Sequence, residues 1–159
     1  MSWNEPKMTQ LASWMSDLTG RNVSADDAGS KISLNEGPGY IATYTDQALN
    51  IVGLCRCDIA GAASLGAALS LVPPARVEES VRDGSLDELL MENFAEVCNV
   101  MSRAFTGASA PSVTLGKIHH APVAANDAGV EPEQDGSARL DMNIDVMGYT
   151  NGQMTLIKL

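Results

Sequence analysis

The sequence predicts an α+β domain in which long helices pack on one antiparallel sheet, with the helix and sheet pattern given twice along the chain. Three observations carry this. Two segments have apolar residues at helical spacing, other segments alternate apolar and polar residues with turn signals between them, and the two long helical segments align with each other. A chain of 159 residues with 45% apolar content builds one core and is too short for two comfortable ones, so residues 1–159 are expected to form a single domain.

In residues 5 to 19, EPKMTQLASWMSDLT, the positions Met8, Leu11, Trp14, Met15 and Leu18 form a helical stripe that Gly20 ends. A polar loop follows. Residues 40 to 46 and 48 to 57 then read as two strands of a hairpin, with Asp46 in the turn. Asp58 is placed to cap IAGAASLGAALSLV, a helix whose small residues permit close packing on a sheet before Pro73 and Pro74 stop it. A short segment, 75 to 82, leads through Asp83-Gly84 to Ser85. SLDE has the capping-box form, with Ser85 as N-cap and Glu88 at the third helical position, so a third helix starts at about residue 86 and runs to about Thr106.

Beyond Gly107 and Pro111, residues 113 to 119 read as a strand. APVAANDAGVEPEQDGSA is small, acidic and turn-rich, and reads as a surface loop. RLDMNIDVMG alternates Leu140, Met142, Ile144 and Val146 with polar neighbours, Asn151-Gly152 is a strong hairpin signal, and QMTLIKL completes a terminal hairpin. Setting MTQLASWMS over FAEVCNVMS places Met15 and Ser16 on Met101 and Ser102. The halves then divide at about 1–84 and 85–159, with Gln10 and Ser13 where the second half has Glu96 and Asn99.

Ten basic residues against twenty acidic ones give a formal charge of −10 and a pI near 4.4, which argues against nucleic acid and anionic lipid as partners. MSWNEPKMTQ has no basic segment followed by an apolar run, and no stretch approaches the ~20 apolar residues that span a bilayer. A cytoplasmic protein with no membrane insertion is expected. Cys55, Cys57 and Cys98 are an odd, sparse set expected to be reduced.

The third helix carries the chemistry-bearing pattern. Leu90, Phe94, Val97, Cys98, Met101 and Phe105 fall on one side of it, whereas Glu92, Glu96, Asn99 and Arg103 lie within about 60° of one another on the other. Any surface helix has a polar face. Here, however, Glu92 and Glu96 repel at i,i+4 spacing, and Asn99 is a mediocre helix former, so neither choice helps the helix as a helix. Other centres have little support. Cys55 and Cys57 share one face of a strand and read as core, His119 and His120 diverge on a strand, and DIAGAASLGAAL lacks both the G-x-G-x-x-G order and a P-loop lysine. No G-x-S-x-G motif occurs.

Glu96-x-x-Asn99 on a long helix, with 22 residues between Asn99 and Pro122, resembles the pattern of the CheC/CheX/FliY phosphatases of bacterial chemotaxis. The pattern places Asp or Ser four residues before the glutamate, where this chain has Glu92. With only the second motif intact, the chain is most similar to the CheX type. The resemblance implies a CheC-like fold, one centre per subunit and a homodimer. It further implies that Asn99 positions a water against the aspartyl phosphate of a CheY-type receiver, while Glu96 pairs with the receiver lysine. Glu92 and Arg103 are the further candidates for partner contact, and Pro122 is a structural part of the motif. The chain itself needs no cofactor or metal on this reading, since Mg²⁺ is expected on the phosphorylated receiver. The alternative is a non-catalytic receiver-binding adaptor or flagellar-switch-like scaffold of the same fold.

Overall fold

In the computed structural model, which describes residues 5–34, 37–107, 112–122 and 138–159, four helices pack on one face of a six-stranded antiparallel sheet. The elements are α1 (Met8–Thr19), β1 (Val23–Asp27), β2 (Gly39–Thr45), β3 (Ile51–Asp58), α2 (Ile59–Leu69), α3 (Pro74–Asp83), α4 (Glu88–Met101), β4 (Thr114–Ala121), β5 (Ala138–Val146) and β6 (Gly152–Lys158). A single 3₁₀ turn, Ser102–Ala104, continues α4.

The strand order is β1-β5-β6-β3-β2-β4. Exchanging β1, β2 and β3 for β4, β5 and β6 and reading backwards returns the same order. The helices α1 and α4 each precede one of these three-strand sets.

The core lies between helices and sheet. Leu11 and Met15 of α1, Leu65 and Ala68 of α2, and Phe94, Val97, Cys98 and Met101 of α4 cover Tyr40, Tyr44, Cys55, Cys57, Met142, Ile144, Met154 and Leu156. A smaller cluster of Leu34, Ile41, Leu54, Ala121 and Ile157 sits on the other face. There Arg139 binds Asp141 through Nη2 at 2.7 Å and Nε at 2.9 Å, and Thr155 donates to the same carboxylate at 2.9 Å.

Several boundaries differ from the sequence expectation for local reasons. The helix expected over 5 to 19 begins at Met8, where the Lys7 N–H donates to Gln10 Oε1 at 2.9 Å. Its supposed polar loop contains β1, an edge strand in which Val23 alone is fully buried. The prolines do not stop α2, which ends at Leu69 before Leu71 turns left-handed at φ 56°. Instead Pro74 opens α3 at a first-turn position where a missing N–H costs nothing.

Because α3 runs to Asp83 and ends on left-handed Gly84, Ser85 and Leu86 serve as a link, and the Leu86 N–H donates to Tyr40 Oη at 2.9 Å. Asp87, not Ser85, therefore caps α4, accepting from the Leu90 N–H at 2.9 Å. The helix expected to reach Thr106 leaves α-geometry after Met101, although Phe105 is buried as expected.

Asn151-Gly152 is not the centre of the terminal hairpin. Met147 to Asn151 join the two strands, and Gly152 already belongs to β6. It is glycine because the α2 backbone crosses it, and a Cβ there would lie 2.3 Å from Gly61 Cα. Most of the loop expected over 121 to 138 lies outside the described residues.

Candidate functional site

Three of the four polar residues singled out on α4 are carried by the helix itself, and the fourth by its 3₁₀ extension. Glu92, Glu96 and Asn99 are exposed on α4, and Arg103 is exposed in the turn that follows. Glu96 and Asn99 stand three residues apart, so their side chains are neighbours about 5–6 Å apart at the Cβ atoms. Among the described residues, neither the Glu96 carboxylate nor the Asn99 amide has a hydrogen bond or ion pair within the chain, and Glu92 has no ion pair. Two acidic groups and an amide are thus presented to solvent with their bonding capacity unspent.

Asn93, adjacent to Glu92, gives the contrast. It is 9% exposed, and its Nδ2 donates to the Gly66 carbonyl at 2.9 Å and to Ser70 Oγ at 2.8 Å. These bonds tie α4 to the C-terminal turn of α2, where helix carbonyls run out of intrahelical donors. The helices approach closely there, since a Cβ on Gly66 would lie 2.7 Å from the Leu90 carbonyl oxygen. One asparagine of α4 therefore anchors the helix, and the other is left free.

The far end of α4 is held from the sheet. Tyr44, fully buried, donates its hydroxyl to the Cys98 carbonyl at 2.5 Å. Arg103 lies over the Trp14 ring of α1 with its guanidinium carbon 6.0 Å from the centroid, which links the first helix to this surface. The α1 counterparts of the pair are both exposed, but Gln10 is spent on capping its own helix.

Pro122 does not join the cluster. It is exposed just after β4, joined to Ala121 by a cis peptide bond. That end of β4 lies near the start of α4, since His120 Nε2 is 2.9 Å from the Gly84 carbonyl, whereas Tyr44 and Cys98 lie toward the other end.

A thiol nucleophile is not available here. Cys98 immediately precedes Asn99 but points into the core, where burial, then Cys57, pushes its pKa well up. The Cys57 thiol is raised by a side-chain hydrogen bond with the free thiol of Cys55 and by burial. Among the described residues no group of three or more His, Cys, Asp or Glu side chains could hold a metal ion. No helix among them is long and apolar enough to cross a membrane.

Sequence reasoning did not find Asn93 or Tyr44. Asn93 is the one polar residue on the flank of the buried stripe, and Gly66 and Ser70 at helical spacing on α2 are its complement, a signal visible only once the two helices are paired.

The architecture defines a class of fold, α+β with helices on one antiparallel sheet, and solved structures share it. No protein-family model and no curated protein matches the sequence. Among solved structures, the chain is similar to FliM in the FliM–SpeE complex from H. pylori, with TM-score 0.64 and 10% identity over 95% of this chain and 80% of that one. It is similar to Thermotoga maritima FliY, with TM-score 0.57 and 10% identity over 95% and 83% of the two chains. It is also similar to CheX in the CheX–CheY–BeF3–Mg²⁺ complex from Borrelia burgdorferi, with TM-score 0.54 and 13% identity over 94% and 93%. The likeness to FliM is no weaker than that to CheX, and at these identities it is the fold that is shared.

Proposed function

We propose that this protein hydrolyses the aspartyl phosphate of a CheY-type receiver domain docked on the exposed face of α4. The observation that supports this most is the free Glu96/Asn99 pair on a helix held from both the neighbouring helix and the sheet. An acyl phosphate is already reactive, because its leaving group is a carboxylate of low basicity. A water oxygen attacks phosphorus in line, the bond from phosphorus to the aspartyl oxygen breaks, and aspartate and inorganic phosphate result. What accelerates the step is a held, aligned water. An amide both donates and accepts hydrogen bonds, so Asn99 can hold such a water in line without acting as a base.

Glu96, one turn earlier, is the group for the receiver lysine, and such a pair sets orientation as much as affinity. Glu92 and Arg103 extend the contact along the same face. The Mg²⁺ that neutralises phosphoryl charge belongs to the receiver. Two copies of the chain, with one centre each, and a cytoplasmic setting complete the proposal.

A second reading has an observation of its own. The likeness to FliM, solved in complexes with SpeE and with FliG, favours a scaffold of the same fold that binds a partner without turnover. The test is the decay of a ³²P-labelled receiver with and without the protein, paired with titration of the same receiver carrying beryllofluoride, a mimic of its phosphoryl group. The proposal expects faster decay and binding that Glu96→Ala weakens. Binding without any acceleration across several receivers would establish the scaffold, and a monomer by light scattering would count against the paired arrangement.

A further inference from the structure

We infer that Tyr44 is a positioning residue for Asn99, acting through the carbonyl of Cys98. The inference rests on the proposed role of Asn99 and concerns what holds that side chain in place.

Helix α4 changes winding just past its functional pair. The Ser102 N–H turns to the carbonyls of Asn99 and Val100, so it does not make the regular helical bond to Cys98. That leaves the Cys98 carbonyl without its intrahelical donor in a site surrounded by core, where an unpaired acceptor is costly. The Tyr44 hydroxyl fills the vacancy at 2.5 Å. Burial, then the thiols of Cys55, Cys98 and Cys57, pushes the phenol well above its ordinary value, so it remains a donor at any physiological pH.

The bond acts on Asn99 directly. The Cys98 oxygen belongs to the planar peptide group whose nitrogen is that of Asn99, so holding the oxygen orients the plane from which the Asn99 side chain departs. Tyr44 is itself aimed with care. The β2 register shifts beside it toward both neighbouring strands, between Ala42 and Tyr44 against β4 and between Tyr44 and Thr45 against β3. Irregularities of this kind re-aim a side chain out of the regular pleat. The ring packs on Phe105 at a centroid distance of 5.0 Å, and Phe105 in turn occupies the space over Gly53, where a Cβ would lie 2.5 Å from it.

Without the hydroxyl, the Cys98 carbonyl takes the Ser102 N–H, and the 3₁₀ turn carrying Arg103 rewinds toward α-geometry. Asn99 then turns with its peptide plane. Misplacement of a water-holding group by about 1 Å can cost on the order of a hundredfold in rate.

The experiment is Tyr44→Phe, which keeps the ring and deletes one oxygen. Turnover of the phosphorylated receiver is expected to fall roughly ten- to hundredfold in kcat, with KM changed less than about twofold because Glu96 still docks. In the isolated protein, the backbone ¹⁵N resonance of Asn99 should move further than those of residues outside α4. A purely structural hydroxyl would lower Tm while leaving both kcat and that resonance in place, which overturns the inference. So would a variant that fails to fold, since the hydroxyl would then be needed by the fold rather than by the site. If the wild-type protein shows no turnover, the phosphatase reading is what fails, and the Asn99 resonance alone decides the role of Tyr44.

Discussion

Replacing Gly152 with alanine should destabilise the protein out of proportion to the single carbon added. The φ angle of Gly152 is not positive, so alanine meets no backbone penalty, and fewer unfolded conformations alone would favour it by about 0.4–1 kcal/mol. The opposing cost is steric. A Cβ would lie 2.3 Å from both Gly61 Cα and Gly61 N, and 2.8 Å from Asp58 Oδ1. These are mostly backbone atoms that cannot rotate away, which places the overpacking near the top of the usual range of about 1–3 kcal/mol. Relief requires α2 to lift from β6, and that stretches the bonds by which Asp58 Oδ1 holds the Gly61 N–H at 2.8 Å and the Gln153 N–H at 3.0 Å, each contributing about 1 kcal/mol. The net loss is about 2–4 kcal/mol. For a chain of this size that lowers Tm by about 5–15 °C, readable by circular dichroism or by the urea midpoint. A Tm within about 2 °C of wild type would refute the reasoning, and would return Gly152 to the role of a simple turn residue.

Asn93→Leu should cost about 1–3 kcal/mol, because the Gly66 carbonyl and Ser70 Oγ lose their shared donor in a buried site, and a urea titration reads this directly. Acid should destabilise the fold through two carboxylates whose pKa values are lowered. Asp87 is lowered by the Leu90 N–H and then Arg76, while at Asp141 burial pushes upward but bonds from Arg139, the Ile32 N–H and Thr155 more than reverse it. A depressed folded pKa gives stability that is present above the unfolded value of about 3.9 and is lost as pH falls through the folded one, so the urea midpoint should drop below about pH 4, less steeply in Asp141→Asn. The thiols of Cys55, Cys57 and Cys98 should resist a thiol reagent in the native protein and react together in denaturant, since all three are buried and Cys57 and Cys98 have raised pKa values.

What could be read from the sequence was whatever showed a long period or a strong local signal. The stripe Leu90, Phe94, Val97, Cys98, Met101 and Phe105 is wholly buried, and its opposite face carries the free Glu96 and Asn99. Asp58 caps α2 as its position suggested, with the Gly61 N–H as donor. The β1 strand was hidden because an acidic five-residue edge strand with one fully buried side chain gives almost no alternation. The α3 helix was hidden behind Pro73 and Pro74, since a proline that cannot continue one helix is also well suited to begin the next.

Gly152 misled for a related reason. An Asn-Gly pair is a hairpin signal only when nothing else demands the glycine, and here the crossing backbone of α2 does. The supports of the site, Asn93 and Tyr44, act between elements far apart in the chain, and no pattern along one element reveals them. Where Pro122, expected as a structural part of the motif, stands relative to the pair is likewise a matter of tertiary placement, and the fold sets it just after β4, near the start of α4.

The most direct test of the central claim compares Asn99→Ala with wild type on one phosphorylated receiver, measuring turnover and affinity for the beryllofluoride form together. If Asn99 holds the attacking water, turnover falls to the spontaneous decay of the receiver while affinity changes less than about threefold, because the amide acts chiefly on the transition state. Turnover that persists in Asn99→Ala would contradict the account, and would place the acceleration somewhere other than the exposed face of α4.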